Sequence, residues 1–191
     1  MPPTVLILII VGVVVLLPLI YALAIYNRLV SIRAHMRESW ADVDVELKRR
    51  YDLIPNLVET VKAYAAHERD TLEQITRLRN QAAANHDSVD SQARDEQQLV
   101  NALRQVFVVV EGYPELKADR NFRDLQAQLA NTEDRIAAAR RFFNGNVREL
   151  NQLVEMFPSN IIASIGGFTR SDFFQLDDDR QRAVPKVTLN A

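Results

Sequence analysis

Cysteine is absent from the 191-residue chain, and residues that break helices are scarce. The lack of cysteine excludes a disulfide framework, a thiol nucleophile and the lipid-modified cysteine of a lipoprotein, and it is consistent with a reducing compartment. The chain has five glycines, and between Asn27 and Phe157 its only prolines are Pro55 and Pro114. With abundant Ala, Leu, Glu, Gln and Arg, this scarcity favours an all-α fold of long helices without a sheet.

An excess of basic charge and the common catalytic motifs are also missing. The formal net charge is −2, so no basic surface suited to nucleic acid is expected. The three histidines lie on separate segments, and His67-Glu68 lacks the second histidine of a zinc-protease motif because Thr71 stands there. Phosphate-binding glycine motifs are absent from the sequence as well. We therefore predict that the protein is not an enzyme and uses no metal or cofactor.

An uncharged apolar run occupies residues 5–25 and follows a four-residue tail, residues 1–4. At 1.5 Å per residue, a helix of this length spans about 31 Å, close to the hydrocarbon core of a bilayer. A cleaved signal peptide is the alternative, since Ala22-Leu23-Ala24 imitates a cleavage site. The tail, however, carries no basic side chain, and the apolar run exceeds the usual length of a signal peptide. The run therefore predicts a permanent transmembrane helix.

Basic residues follow this run but do not precede it, beginning with Arg28, Arg33 and Arg37. The positive-inside rule then predicts an N-terminus outside and a C-terminal domain in the cytoplasm.

Breakers in the remaining sequence divide residues 27–160 into a predicted antiparallel, up-and-down four-helix bundle. Pro55, the polar turn at 85–88, the Gly112-Tyr113-Pro114 stop and an Asp119 N-cap set the joints. The predicted helices are 27–51, 54–84, 89–112 and 120–157. Because no strong breaker lies between Pro18 and Pro55, we expect the membrane helix to continue into the first bundle helix.

The fourth predicted helix carries a seven-residue apolar repeat, which is typical of a coiled-coil-like seam. Its members are Phe122, Leu129, Ile136, Phe143, Leu150 and Phe157. The other helices carry similar stripes, so we expect the helices to bury one another's apolar faces.

Charged residues interrupt or border these seams at Arg33, Glu68, Glu133 and Arg140. Because a buried charge needs a partner, we predict buried polar pairs of the type Arg33–Glu68 and Glu133–Arg140. Such pairs would either fix the helix register or line a polar groove that binds a ligand.

A second charged group, Arg49, Arg50 and Asp52, precedes the predicted break at Pro55. At the membrane-distal tip of the bundle it would form either solvated helix caps or a docking site for a protein partner.

The C-terminal sequence changes character at residue 161. Residues 161–175 contain Gly166-Gly167-Phe168 and Phe173-Phe174, whose aromatic rings either pack back on the bundle or form an exposed anchor for a partner or a membrane. Residues 176–191 contain Asp177-Asp178-Asp179 and a mostly polar remainder, and we predict them to be disordered.

Several of these segments together resemble the LemA family of bacterial membrane proteins. They include 26–30, 40–50, 113–118, 157–160 and Asp52-Leu53-Ile54-Pro55-Asn56-Leu57-Val58. The sequence departs from the family at Phe142-Phe143-Asn144, where a tyrosine commonly precedes the asparagine. The resemblance implies a single transmembrane helix in the bacterial inner membrane, an outward N-terminus, a bundle of long antiparallel helices and no established enzymatic activity.

The resulting prediction is a membrane-anchored scaffold or adaptor that binds an unidentified protein partner. Two alternatives remain open: a ligand-sensing bundle that uses the polar core, and a homo-oligomer that organises the membrane.

Overall fold

The computed structural model describes residues 2–175, and every regular element in that range is an α-helix. The helices are α1 (Pro3–Tyr64), α2 (Arg69–Ala84), α3 (Val89–Glu111), α4 (Pro114–Ala118), α5 (Arg120–Glu155) and α6 (Ser159–Ile165). The predicted all-α class is therefore confirmed.

The chain divides into two compact units. The first unit comprises Met1–Leu47 and Asp134–Phe173, and the second comprises Lys48–Glu133 and Phe174–Ala191. Helices α1 and α5 each contribute residues to both units.

Helix α1 continues without a break from the apolar run into the following helix, as predicted. Its apolar part is long enough to span a membrane, and residues 2–175 leave most of it exposed: Val14 and Leu17 are 64% and 61% exposed. Within residues 2–175 it is the one helix that is both long and apolar enough for this.

The predicted helix boundary at Pro55 is wrong, because α1 continues to Tyr64. Proline has no N–H, so the carbonyl of Tyr51 loses its usual donor four residues later. The Arg79 Nε of α2 donates to that carbonyl instead, at 3.0 Å. Ile54 and Leu57, on either side of the proline, are fully buried and hold this part of α1 in place. The second predicted helix therefore begins at Arg69 rather than near residue 54.

Replacing Arg79 with alanine should lower the free energy of unfolding by about 1–3 kcal/mol, because it removes the hydrogen bond from Arg79 Nε to the Tyr51 carbonyl. In a Pro55→Ala background the loss should shrink, since the alanine introduced there has an N–H that can bond the same carbonyl within the helix. Urea unfolding followed by circular dichroism in detergent measures both losses. Arg77→Ala, at an exposed position of the same helix, is the control. Equal losses in the two backgrounds would contradict the compensation.

The other predicted joints are confirmed by their hydrogen bonds. The Ser88 hydroxyl accepts from the Ser91 N–H at 3.1 Å and caps α3, and Gly112 follows the end of that helix. Asp119 Oδ1 accepts from the Phe122 N–H at 2.9 Å at the start of α5. The short helices α4 and α6 were not predicted. Both bury an apolar residue, Leu116 in α4 and Ala163 in α6.

The core of the first unit joins α1, α5 and α6. Its buried cluster contains Leu29, Ile32, Leu150, Ala163 and Phe168. Farther along, the rings of Trp40 and Phe143 lie 5.1 Å apart. Asn146 of α5 donates to the Ser39 hydroxyl of α1 at 3.1 Å.

The core of the second unit is built from the predicted stripes. In α3 the buried side chains are Leu99, Leu103, Val106 and Val110, and in α2 they include Leu72 and Ile75.

The seven-residue repeat of α5 holds for its first five members, which are all buried. Phe157, the sixth, is 79% exposed because α5 ends two residues earlier, at Glu155. Beyond α6, Phe168 and Phe174 are buried, so the prediction that these aromatic residues pack back is confirmed. The predicted disordered tail, residues 176–191, lies outside the described residues.

Candidate functional site

A fully buried arginine is the centre of the second unit. The Arg50 side chain is 0% exposed although it carries a charge and projects from the interior of α1. Burying a guanidinium ion without partners is strongly unfavourable. Its surroundings must therefore supply opposite charge.

Two glutamates supply that charge, one from α3 and one from α5. Arg50 Nη2 donates to Glu96 Oε2, and the Glu96 side chain is also 0% exposed. Arg50 Nη1 donates to Glu133 Oε1 at 2.6 Å, and 39% of the Glu133 side chain reaches solvent. One cation thus faces two carboxylates, of which one is sealed in the core.

Neutral groups complete the cluster around Glu96. The Tyr51 hydroxyl donates to Glu96 Oε1. Gln92 Nε2 donates to the same oxygen at 2.8 Å and lies 3.1 Å from both the Tyr51 hydroxyl and the Ala82 carbonyl. The Arg50 cluster, which we define as Arg50, Tyr51, Gln92, Glu96 and Glu133, therefore links α1, α2, α3 and α5.

The pKa of Arg50 is shifted by two opposing effects. Burial disfavours the charged form, but the carboxylates of Glu96 and Glu133 outweigh it and raise the pKa above its ordinary value. Arg50 therefore stays protonated. Of the three guanidinium nitrogens of Arg50, Nε is the one without a hydrogen-bond partner within the described residues.

The Arg50 cluster joins helices through an ion pair and hydrogen bonds. The Glu96 oxygens are occupied by Arg50, Tyr51 and Gln92, so this carboxylate is not placed to accept a proton from a substrate. Across residues 2–175, no three His, Asp or Glu side chains come together as candidate metal ligands.

The prediction of a partner-binding group at Arg49, Arg50 and Asp52 needs correction. These residues do not lie at a helix end, because α1 continues for 14 residues, about 21 Å, beyond Arg50. Arg50 is inaccessible to any partner because it is sealed by Glu96 and Glu133. Arg49 and Asp52 are exposed, and their contact with a partner stays a prediction.

The predicted polar pairs have different partners from those expected. Arg33 is exposed and lies 4.5 Å from the centre of the Phe168 ring in the first unit, whereas Glu68 accepts from the Tyr113 hydroxyl at 3.2 Å in the second. Glu133 does carry a buried pair, but with Arg50 instead of Arg140. Arg140 is partly buried and belongs to the first unit. Arg33 belongs to the first unit and Glu68 to the second, so the Arg33–Glu68 pair and the ligand-binding core built on it stay predictions.

Two tyrosines of the second unit titrate above their ordinary range. Desolvation and the hydrogen bond to Glu68 raise the pKa of Tyr113. The negative charge of Asp119, whose Oδ2 lies 3.3 Å from the Tyr64 hydroxyl, raises the pKa of Tyr64. Both phenols therefore remain neutral and act as hydrogen-bond donors.

Two regular spacings in the sequence would have located the buried charges. The seven-residue series Leu29, Met36, Val43 continues to Arg50 and then to Leu57, so Arg50 occupies a core position of α1. In the same way, the α3 stripe that begins at Leu99 extends backwards to Glu96 and Gln92 at helical spacing. The helix predicted over 27–51 already contained Arg50, and only Leu57, the next member of the series, lay beyond its predicted end.

The second unit also carries a surface groove of about 520 Å³ between the end of α1 and α2. Its lining includes Val58 and Leu72 with the basic side chains Lys62, Arg69 and Arg77. Arg69 is 3.8 Å from Glu73 on the same helix.

Comparison with known proteins gives two findings. The sequence model of the LemA family matches residues 39–189. Magnetosome protein MamQ 2 of Paramagnetospirillum magneticum is 35% identical over 75 residues, which is 39% of this chain and 28% of that protein. Magnetosome protein MamQ of Magnetospirillum gryphiswaldense is 32% identical over 74 residues, again 39% of this chain and 27% of that protein.

The matched region spans less than a third of the length of these magnetosome proteins, so the similarity to them is limited to that region. The family match, by contrast, extends from the interior of α1 almost to the C-terminus. Together they suggest a membrane-associated helical protein. The segments that resemble LemA and the family match over residues 39–189 agree, and the chain belongs to the LemA family.

Proposed function

We propose that this protein is a membrane-anchored, non-enzymatic helical scaffold that binds a protein partner at the bacterial inner membrane. The observation that carries the proposal is the exposed apolar surface of α1. The second unit, in addition, is held together by a buried ion pair. An apolar surface of this extent is unfavourable in water and is stabilised by lipid. In this proposal α1 crosses the membrane once, with its N-terminus outside, and the helices that follow form the cytoplasmic bundle.

The Arg50 cluster supports a scaffold rather than a reaction centre. Its hydrogen bonds tie four helices together and leave Glu96 without an open position. Such a network fixes which helix faces meet, as a buried polar residue fixes register in a coiled coil. A fixed arrangement of helices presents the same outer surface to a partner at all times.

The surface we propose for the partner includes Arg49 and Asp52, which flank the buried Arg50 in sequence and remain exposed on α1. They carry opposite charges, and rim charges of this kind contribute mainly to association rate and selectivity.

Anchor and partner can be tested together with a photo-crosslinking residue at position 49 in living bacteria. In the unmodified anchor we expect membrane retention after alkaline extraction and a crosslinked protein adduct. A second substitution, Leu16→Arg, places a charge in the apolar run at a cost of about 2.5–3.5 kcal/mol. It should release the protein from the membrane and remove the adduct.

Val45→Arg is the matched control for this experiment. Val45 is 65% exposed and Leu16 is 55% exposed, and both lie on α1, but Val45 is outside the apolar run. It should leave membrane retention unchanged, and retention is what it controls, because Val45 lies one helical turn before Arg49 and borders the proposed partner surface. Retention of the Leu16→Arg variant would contradict the anchor. Because the probe at position 49 replaces Arg49 itself, the same probe is also placed at the exposed neighbouring position 48, and no adduct at either position would contradict the partner surface.

A further inference from the structure

Four large apolar side chains are exposed together at the junction of α5 and α6. They are Met156, Phe157, Ile161 and Ile165, and we call them the apolar corner. Phe157 and Ile165 are 79% and 81% exposed, the highest values among the exposed large apolar residues of the described chain. Ile161 and Ile165 are four residues apart and therefore share one face of α6.

The apolar corner lies beside the part of α1 where the apolar run ends. Ala163 of α6 is completely buried in a cluster with Leu29 and Ile32 of α1, and Ile25 packs against that cluster. Ile25 is the last residue of the apolar run, so α6 is held at the level where α1 would leave the hydrocarbon core. All these residues belong to the first unit.

Contacts after α6 hold the corner in this position. Phe168 packs edge-on against Tyr26 with ring centres 6.0 Å apart, and its N–H donates to the Ala163 carbonyl at 2.9 Å. Gly166 permits this return, because a Cβ at that position would come within 2.8 Å of the Phe168 ring. Gly167, at φ 67°, completes the turn.

The segment beyond the turn is fixed to α5. Asn151 and Ser171 exchange two hydrogen bonds of 2.9 Å, and Arg170 pairs with Glu155 at 2.9 Å. The exposure of the corner is therefore a property of a folded element and not of a loose end.

We propose that the apolar corner inserts into the interfacial layer of the same membrane that α1 crosses, and that its ligand is lipid. This inference rests on the proposed membrane anchor. The exposed apolar run of α1, in which Leu19 and Leu23 are more than half exposed, ends at Ile25, and Ile25 packs against the same cluster as Ala163 of α6. Tyr26, between that surface and the corner, is a residue type that favours the interface between membrane and water.

Insertion would explain why Phe157 ends a seven-residue core repeat and yet faces outward. Side chains such as Phe, Ile and Met are stabilised when they leave water for the boundary of the acyl chains. A short helix at that depth, held to α1 through Ala163, would set the tilt of the first unit relative to the bilayer. The LemA scaffold would then contact the membrane at two places, through α1 and through the apolar corner.

The absence of cysteine allows a direct test with single-cysteine variants of the full chain. Phe157→Cys and Ile165→Cys, each labelled with an environment-sensitive fluorophore, are reconstituted into phosphatidylcholine vesicles with and without nitroxide-labelled phosphatidylcholine. Compared with the same fluorophore free in water, we expect the emission at both positions to be blue-shifted. The labelled lipid should quench it strongly, and aqueous iodide should quench it little.

Two further positions make the result interpretable. Leu19→Cys reports on the anchor and should also be quenched by lipid. Phe142→Cys is a matched control, because Phe142 is also apolar and 61% exposed but lies 13 residues, about 20 Å along the helix, before the end of α5. It should be quenched by iodide and not by lipid. Circular dichroism checks that each variant is folded.

Each outcome assigns the failure to one proposal. Lipid quenching at position 19 but not at 157 and 165 would overturn the apolar corner and leave the anchor intact. No lipid quenching at position 19 would overturn the anchor. Protection at 157 and 165 that disappears when the protein is diluted in excess lipid would show a second copy of the chain as the occupant, and would overturn the lipid assignment.

Discussion

Replacing Arg50 with alanine is expected to lower the free energy of unfolding by about 3–5 kcal/mol, a large fraction of the stability of an ordinary domain. The substitution leaves Glu96 in the core with its charge and without its cation, because the Glu96 side chain is 0% exposed. It also removes the link from α1 to α5 through Glu133. Urea unfolding of the full chain in detergent, followed by circular dichroism, measures the loss.

Arg49→Ala is the control for this prediction. Arg49 has the same charge and the neighbouring position on α1 but is exposed, so its loss should change stability by no more than about 0.5 kcal/mol. Similar effects of the two substitutions would show that the buried network contributes nothing beyond surface charge.

A double variant tests whether the core requires the Arg50–Glu96 ion pair or only side chains that fill the same space. In Arg50→Met with Glu96→Met, both buried ions are replaced by apolar side chains, which often leaves stability unchanged or raises it. We therefore expect the double variant to be much more stable than Arg50→Ala. If it is equally unstable, the hydrogen bonds of Tyr51 and Gln92 to Glu96 carry the stabilisation instead.

The pH dependence of this contribution follows from the direction of the pKa shift. The pKa of Arg50 is raised in the folded protein, so its stabilisation is fully present below the ordinary pKa of an arginine side chain. It is lost only as the pH rises through the raised pKa. The effect of Arg50→Ala should therefore be the same at neutral and mildly alkaline pH.

The helices and their apolar faces could be predicted from the sequence because local signals determine them. Ser88 and Asp119 act as the expected caps, and the repeat from Phe122 to Leu150 is buried as its spacing indicates. The Arg50 cluster could not be predicted in the same way. Its hydrogen bonds join residues 46 and 83 positions apart, and no local pattern specifies which helices meet.

Pro55 shows how a tertiary contact overrides a local rule. A proline in a helix interior removes one backbone hydrogen bond, which favours a break. Here Arg79, 28 residues after Tyr51, supplies the missing donor. The apolar positions at Ile54 and Leu57 keep α1 packed on both sides of the proline. The sequence contains Arg79, but nothing near it indicates that its guanidinium will reach the Tyr51 carbonyl.

The first unit provides the second large effect. Phe143→Ala should lower the free energy of unfolding by about 3–5 kcal/mol, because Phe143 is 3% exposed and its removal leaves a cavity beside Trp40. Trp40 is the only tryptophan in the chain, so its fluorescence reports on this site alone. We expect a shift of its emission to longer wavelength as water reaches the indole ring, together with a lower unfolding midpoint.

Phe142→Ala is the matched control, since it removes the same side chain from the adjacent position of α5. Phe142 is 61% exposed, so its replacement should change stability by no more than about 0.5 kcal/mol and leave the Trp40 emission unchanged. The heptad of α5 requires this difference, because it places position 143 on the inner face and position 142 outside. If the two variants are equally destabilised, the assignment of position 143 to the inner face of α5 is wrong. The heptad would then not predict burial at position 157, and the end of α5 would not be the reason for the exposure of Phe157.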